Sequence, residues 1–155
     1  MFKEKRERYF FIAEKKDIYD YQEGYYDAIL MAEDVLVNAE IMKQIILLRE
    51  AEIDHAENGR IVLEMFKNSQ AGYYDAILMD VRMPEMDGLE AAAAIRALDR
   101  PDAKTIPIIA LTANAFDEDV QRSLQMGMDA HLSKPVDPEH LYQTLEELIW
   151  EYSQP

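Results

Sequence analysis

Cysteine is absent from all 155 residues, which excludes disulfides and thiolate-held metals. Positive charge is scarce too: 16 basic side chains stand against 31 acidic ones, for a net charge of −15. A surface of that sign repels nucleic-acid phosphates and suits a cation or a basic partner. No apolar stretch approaches the roughly 20 residues that a membrane-spanning helix needs. The opening Met1-Phe2-Lys3-Glu4-Lys5-Arg6 carries charge but leads into no signal-peptide core. These absences predict a soluble, cytoplasmic chain that touches neither membrane nor nucleic acid directly. What is present, 49% hydrophobic residues over this length, suffices for one ordinary domain with a short extension.

The most informative stretch runs from Ile77 to Gly88. Ala76-Ile77-Leu78-Met79 is an apolar run that stops at Asp80, and a loop with Pro84, Asp87 and Gly88 follows. A short continuous apolar run bounded by turn signals reads as a strand buried on both faces. Such a strand delivers its last residue to the sheet edge where open α/β proteins do their chemistry. Asp80 is that residue.

Four further runs read the same way. They are Ala28 to Ala32, the more alternating Ala51 to Ala56, Ile106 to Leu111, and Ala130 to Ser133. Helical patterns lie between them. Asn38 is placed to cap a helix with Ile41, Ile45 and Leu48 along its apolar face and Met42 and Ile46 beside it. Asn58-Gly59 marks a turn before a helix from Arg60 to about Asn68. An alanine-rich helix follows Gly88, from Leu89 to Leu98, and stops near Asp99 and Pro101. A fourth helix runs from about Phe116 to Met126, closed by Gly127. Asp137 caps and Pro138 starts a fifth, with Leu141, Leu145, Leu148 and Tyr152 in one stripe. Repeated β-α units predict a flavodoxin-like, doubly wound parallel sheet with strand order 2-1-3-4-5. The domain is expected over residues 27–152. Residues 1–26 form an N-terminal extension, with an apolar patch at Tyr9-Phe10-Phe11-Ile12 and no evident chemistry.

There is one internal repeat. Gly24 to Met31 recurs identically as Gly72 to Met79. Aligning the copies sets Ala32 opposite Asp80, so a second strand of similar shape is expected but no second acidic site. Two copies do not make a solenoid.

In a parallel sheet the C-terminal strand ends share one edge. That edge collects Glu33 and Asp34 from the first strand, Asp80 from the third, Thr112 from the fourth and Lys134 from the fifth. Singly, each has an ordinary explanation as a helix-start charge, a strand end or a strand stop. Together, three carboxylates need neutralising. An all-oxygen donor set points to a hard cation such as Mg²⁺ (or Mn²⁺). A lysine beside it is a point charge suited to a phosphate oxygen, and Thr112 offers a small donor. The set fits phosphoryl transfer onto Asp80 as nucleophile.

These residues resemble the receiver domain of two-component signalling, and most of all receivers attached to hybrid sensor kinases. The resemblance rests on Glu33-Asp34, on Asp80 followed by Met83-Pro84-Glu85-Met86-Asp87-Gly88, on Thr112-Ala113, and on Lys134-Pro135. It implies Asp80 as phosphoacceptor, with a metal held by Asp34, Asp80 and the backbone carbonyl of Arg82 and by Glu33 partly through water. Thr112 and Lys134 are implied as phosphoryl ligands, and the Lys134-Pro135 bond as cis. Its implied setting is bacterial and cytoplasmic, with a histidine kinase or phosphotransfer protein as partner. A homodimer through the fourth helix, fifth strand and fifth helix is a further implied possibility. Two positions depart from the pattern: Val35 stands where Asn often follows the acid pair, and His131 occupies a switch position that usually carries Tyr or Phe. Three alternatives accompany this reading. One is a metal-dependent hydrolase of phosphomonoesters, against which Arg82 stands where a second acid is needed. The others are a receiver-like scaffold without phosphotransfer, and a fragment of a hybrid histidine kinase.

Overall fold

Five strands, β1 (Ala28–Ala32), β2 (Glu52–Ala56), β3 (Ala76–Asp80), β4 (Ile108–Thr112) and β5 (Ala130–Ser133), make up the sheet. All neighbours pair in parallel, in the order β2-β1-β3-β4-β5, as the sequence predicts. The structure is a computed structural model that describes residues 26–113 and 118–153. The three inner strands are apolar on both faces apart from the terminal Asp80 and Thr112, and every one of their residues is buried. Edge strand β2 carries Glu52, Asp54 and His55 and is buried only at Ala56.

Helices cover both faces. α2 (Gly59–Asn68) and α3 (Gly88–Arg96) pack Val62, Phe66, Leu89, Ala91, Ala92 and Ile95 on one side. On the other, α1 (Leu36–Leu47) and α5 (Pro138–Ser153) contribute Met42, Ile45, Ile46, Leu141, Leu145 and Ile149. α4 (Glu118–Gln125) precedes β5 and ends as predicted: Gly127 takes φ +101°, a conformation that suits glycine. Asp137 caps α5, accepting the His140 N–H at 3.2 Å. The Tyr9–Ile12 patch, Gly24, Tyr25, the start of the fourth helix near Phe116 and the side chain of Tyr152 lie outside the described residues.

Several expectations need correcting. Asn38 does not cap α1; the helix starts three residues earlier, at Leu36, with Val35 at the N-cap and no side-chain cap bond. Its buried face is Ala39, Met42, Ile45 and Ile46, whereas Ile41 and Leu48 are 54% and 77% exposed. Apolar residues surround this helix, so periodicity alone could not choose the face. Gly88 is the first residue of α3 rather than its forerunner. Asp87 caps the helix by accepting the Glu90 N–H at 2.8 Å, and Glu90 reaches back to complete a capping box. Pro101 starts a one-turn helix, Pro101–Thr105, that the sequence reading missed although proline favours a first helical position. β4 begins at Ile108 rather than Ile106, and β2 at Glu52 rather than Ala51.

The repeated segments form adjacent strands, but not in matching register. Ile29 pairs with Ala76, and Met31 with Leu78. A one-residue offset turns every equivalent side chain to the other face. Leu30 therefore packs with the α2–α3 layer and its counterpart Leu78 with the α1–α5 layer.

Candidate functional site

The C-terminal ends of β1, β3, β4 and β5 converge as expected. Asp80 closes β3 and is 6% exposed. Behind it the chain is tightly held: the Val81 N–H donates to Leu111 O at 3.1 Å, and the Gly88 N–H to Val81 O at 2.9 Å. A Cβ at Gly88 would lie 2.2 Å from the Asp80 carbonyl oxygen, so only glycine lets α3 start this close to the acid. The loop between them rests on α2. The Gly59 N–H donates to Met86 O at 3.0 Å, and a Cβ there would come within 2.3 Å of that oxygen.

Glu33 follows β1 and is buried. Its backbone is tied to β2, with the N–H donating to Ala56 O at 3.0 Å and the carbonyl 2.6 Å from His55 Nε2. Its carboxylate receives the Asn38 amide on Oε1 at 3.1 Å and the Val35 N–H at 3.4 Å. Lys134 Nζ lies 3.0 Å from Glu33 Oε2 and 3.0 Å from Asp80 Oδ2, bridging the two buried acids. The Lys134 N–H donates to Thr112 O at 2.8 Å, and Lys134-Pro135 is cis, as implied. Asp34 is exposed at the rim, and Glu33, Asp34 and Asp80 each offer an oxygen within 4.8 Å of the others. Arg82 donates its N–H toward Asp80 Oδ1 at 3.4 Å. Thr112 is buried, yet its Oγ1 has no hydrogen-bond partner among the described residues. His131 is half-buried on β5, paired in register with Ala110 of β4.

The electrostatics are unbalanced. Burial, reinforced by the neighbouring Glu33 charge, pushes the Asp80 carboxyl up to about 7 despite its bond to Lys134. For Glu33 burial also acts upward, but the Lys134 and Asn38 hydrogen bonds outweigh it and hold this carboxyl below its usual range. Burial opposes the charge on Lys134 as well; its bonds to Asp80 and Glu33 win and raise its pKa. Fully ionised, three carboxylates and one ammonium leave two negative charges uncompensated, which suits a divalent cation with oxygen ligands. The pocket thus holds a buried carboxylate, an ammonium beside it and a hydroxyl with no partner among the described residues. Asn38 and His55 escaped the sequence reading as site residues. For Asn38 a signal existed, since an amide one helical turn beyond an acid pair can fold back onto it.

The response regulator receiver domain model matches residues 29–146. This chain belongs to that family. Hybrid signal transduction histidine kinase I of Dictyostelium discoideum is 36% identical over 126 residues, which cover 80% of this chain and 7% of that protein. Probable histidine kinase 1 of Oryza sativa subsp. indica is 34% identical, over 82% of this chain and 15% of its own length. The receiver thus spans only a small part of the curated relatives it matches. Among solved structures, the receiver domain of a Pseudomonas aeruginosa sensor histidine kinase is 34% identical with a TM-score of 0.73, covering 81% of this chain and 98% of that one. That relative coordinates a magnesium ion in its active-site cleft. A receiver of a Syntrophus aciditrophicus signal transduction histidine kinase is 32% identical with the same TM-score, over 83% of this chain and 94% of its own. The protein is a receiver domain of two-component signalling, related to those of hybrid histidine kinases. With relatives in Dictyostelium and Oryza as well as bacteria, family membership assigns no bacterial source.

Proposed function

We propose that Asp80 is the phosphoacceptor of this receiver, taking a phosphoryl group from the phosphohistidine of a histidine kinase or phosphotransfer protein. The observation that carries this reading is the bridge of Lys134 between Asp80 and Glu33 at the sheet edge, with the Thr112 hydroxyl left without a partner among the described residues. Asp80 attacks phosphorus in line; an O–P bond forms as the N–P bond breaks, and the electron pair leaves on the imidazole, which is then protonated. Lys134 moves to a phosphoryl oxygen and Thr112 donates its hydroxyl to another. Asp34, Asp80, the Arg82 carbonyl and Glu33, the last partly through water, are the residues that would hold Mg²⁺ (or Mn²⁺). The cation supplies charge neutralisation at the transferring oxygens.

The domain proper is residues 27–152. The setting is cytoplasmic, and the chain is either a receiver acting alone or one part of a hybrid kinase; it catalyses only its own phosphorylation and dephosphorylation. Its response runs through Thr112 and His131: Thr112 follows the phosphate and the His131 ring fills the space behind it. An unchanged activation response in His131→Ala would count against that step. A homodimer through α4, β5 and α5 belongs to the same proposal, with Leu124 and Met126 as its exposed apolar residues.

Intact mass after incubation with Mg²⁺ and acetyl phosphate tests the core reading. One phosphoryl adduct is expected, absent without metal and absent in Asp80→Asn. Wild-type protein that gains no adduct would point to a scaffold.

A further inference from the structure

We infer that Asn38 is a positioning residue for the metal site: its amide holds the Glu33 carboxylate in place while Lys134 turns to the phosphoryl group. The inference rests on the phosphoacceptor reading of Asp80. Glu33 is 1% exposed, so bulk water cannot replace a donor that is lost. Among the described residues three groups donate to its carboxylate. Lys134 Nζ serves Oε2, and the Asn38 amide and the Val35 N–H serve Oε1.

These donors differ in how long they can stay. Lys134 is already shared with Asp80 at 3.0 Å to each acid. A phosphoryl group on Asp80 adds oxygens to an ammonium that has three N–H bonds to give. The Val35 contact, at 3.4 Å, is long for an N–H···O bond. That leaves the Asn38 amide, at 3.1 Å and bonded to an ionised acceptor, as the one strong donor that phosphoryl transfer does not recruit. Its chemistry suits the task. A cation at this position would cancel charge that a divalent metal needs, whereas an amide orients the carboxylate and leaves its charge intact.

Its place in α1 supports the same role. Asn38 is the third residue of the helix, and Val35 at the N-cap offers no side-chain acceptor. Asn38 is therefore not spent on capping. It reaches back past the helix start to Glu33, so the first turn of α1 and the acid pair behave as one unit. Partners that orient a metal ligand commonly cost 10- to 100-fold in metal affinity when removed.

The test is an NMR-monitored Mg²⁺ titration of the full chain and of Asn38→Leu and Asn38→Gln, with thermal unfolding of each in EDTA. Leucine nearly matches asparagine in size and exceeds it in helix propensity, so α1 is not weakened. Asn38→Leu should raise the Mg²⁺ Kd by about 10- to 100-fold, with a modest fall in the metal-free Tm because one donor to a buried acid is lost. Asn38→Gln, which keeps the amide, should recover part of the loss. An unchanged Kd in Asn38→Leu overturns the inference and leaves the phosphoacceptor reading standing. Equal losses in both variants with a lowered metal-free Tm overturn it as well, by making Asn38 a structural residue. Wild-type protein that binds no Mg²⁺ overturns the reading beneath it.

Discussion

Ile29 and Ile77 hold the same place in two identical sequence segments, yet their side chains enter opposite layers of the molecule. Ile29 packs with α1 and α5, Ile77 with α2 and α3, because β1 and β3 pair one residue out of step. Their environments share no layer. Ile29→Ala and Ile77→Ala should each cost about 2–5 kcal/mol, and the double variant should equal their sum within about 0.5 kcal/mol. Urea unfolding of the three variants checks both statements.

The raised pKa of Asp80 makes metal binding and stability depend on pH. With the folded pKa at about 7 and the ordinary value at 3.8, folding favours the protonated acid. Asp80's contribution to stability is therefore fully present below about 4 and is lost as pH rises through about 7. Glu33 has the opposite sign, since its lowered pKa adds stability above its ordinary 4.5 that is lost on acidification. In EDTA, Asp80→Asn should raise Tm relative to wild type at pH 8, and the gap should narrow toward pH 5. Mg²⁺ competes with the proton, so its apparent affinity should fall by about tenfold for each pH unit below 7. Thermal melts with and without Mg²⁺ across pH 5–8 measure both effects.

Two glycines act by size rather than by backbone freedom. Gly88→Ala would drive a Cβ against the Asp80 carbonyl oxygen, and Gly59→Ala another against Met86 O. Alanine normally improves a helix, but here backbone must move to admit it. Each substitution should destabilise by about 1–3 kcal/mol, and, with Asp80 as the proposed phosphoacceptor, Gly88→Ala should also slow phosphorylation by acetyl phosphate because it shifts the strand that carries Asp80. Denaturant unfolding and intact-mass time courses read these out.

Arg100 is a structural clasp. It grips Asp102 with Nε and Nη2 at 2.6 and 2.8 Å, donates from Nη1 to the carbonyls of Phe66 in the last turn of α2 and of Ser69 just beyond it, and stacks 4.4 Å over the Phe66 ring. Lysine lacks the planar fork that makes these contacts at once. Arg100→Lys should cost about 2 kcal/mol, close to the cost of Arg100→Ala, with the Mg²⁺ affinity of the distant site unchanged. Urea unfolding together with a Mg²⁺ titration separates the two readouts.

Much of this molecule was legible in the order of its residues. Ala28–Ala32, Ala76–Asp80 and Ile108–Thr112 are apolar on both faces, and that alone forces a parallel sheet covered on both sides. Chain direction then brings Glu33, Asp34, Asp80, Thr112 and Lys134 to one edge, since all five strands run the same way. Other features were decided only in three dimensions. The face that α1 buries was one, because Ile41 and Ile45 are equally apolar and only the sheet distinguishes them. The register that sends two identical segments to opposite layers was another, since pairing depends on the neighbours of each strand and not on its own residues. The Lys134 bridge, the unsatisfied hydroxyl of Thr112 and the grip of Asn38 on Glu33 belong to the same class. Sequence specifies which groups arrive at an edge; burial and distances of about 3 Å determine which of them share a proton, a charge or a ligand.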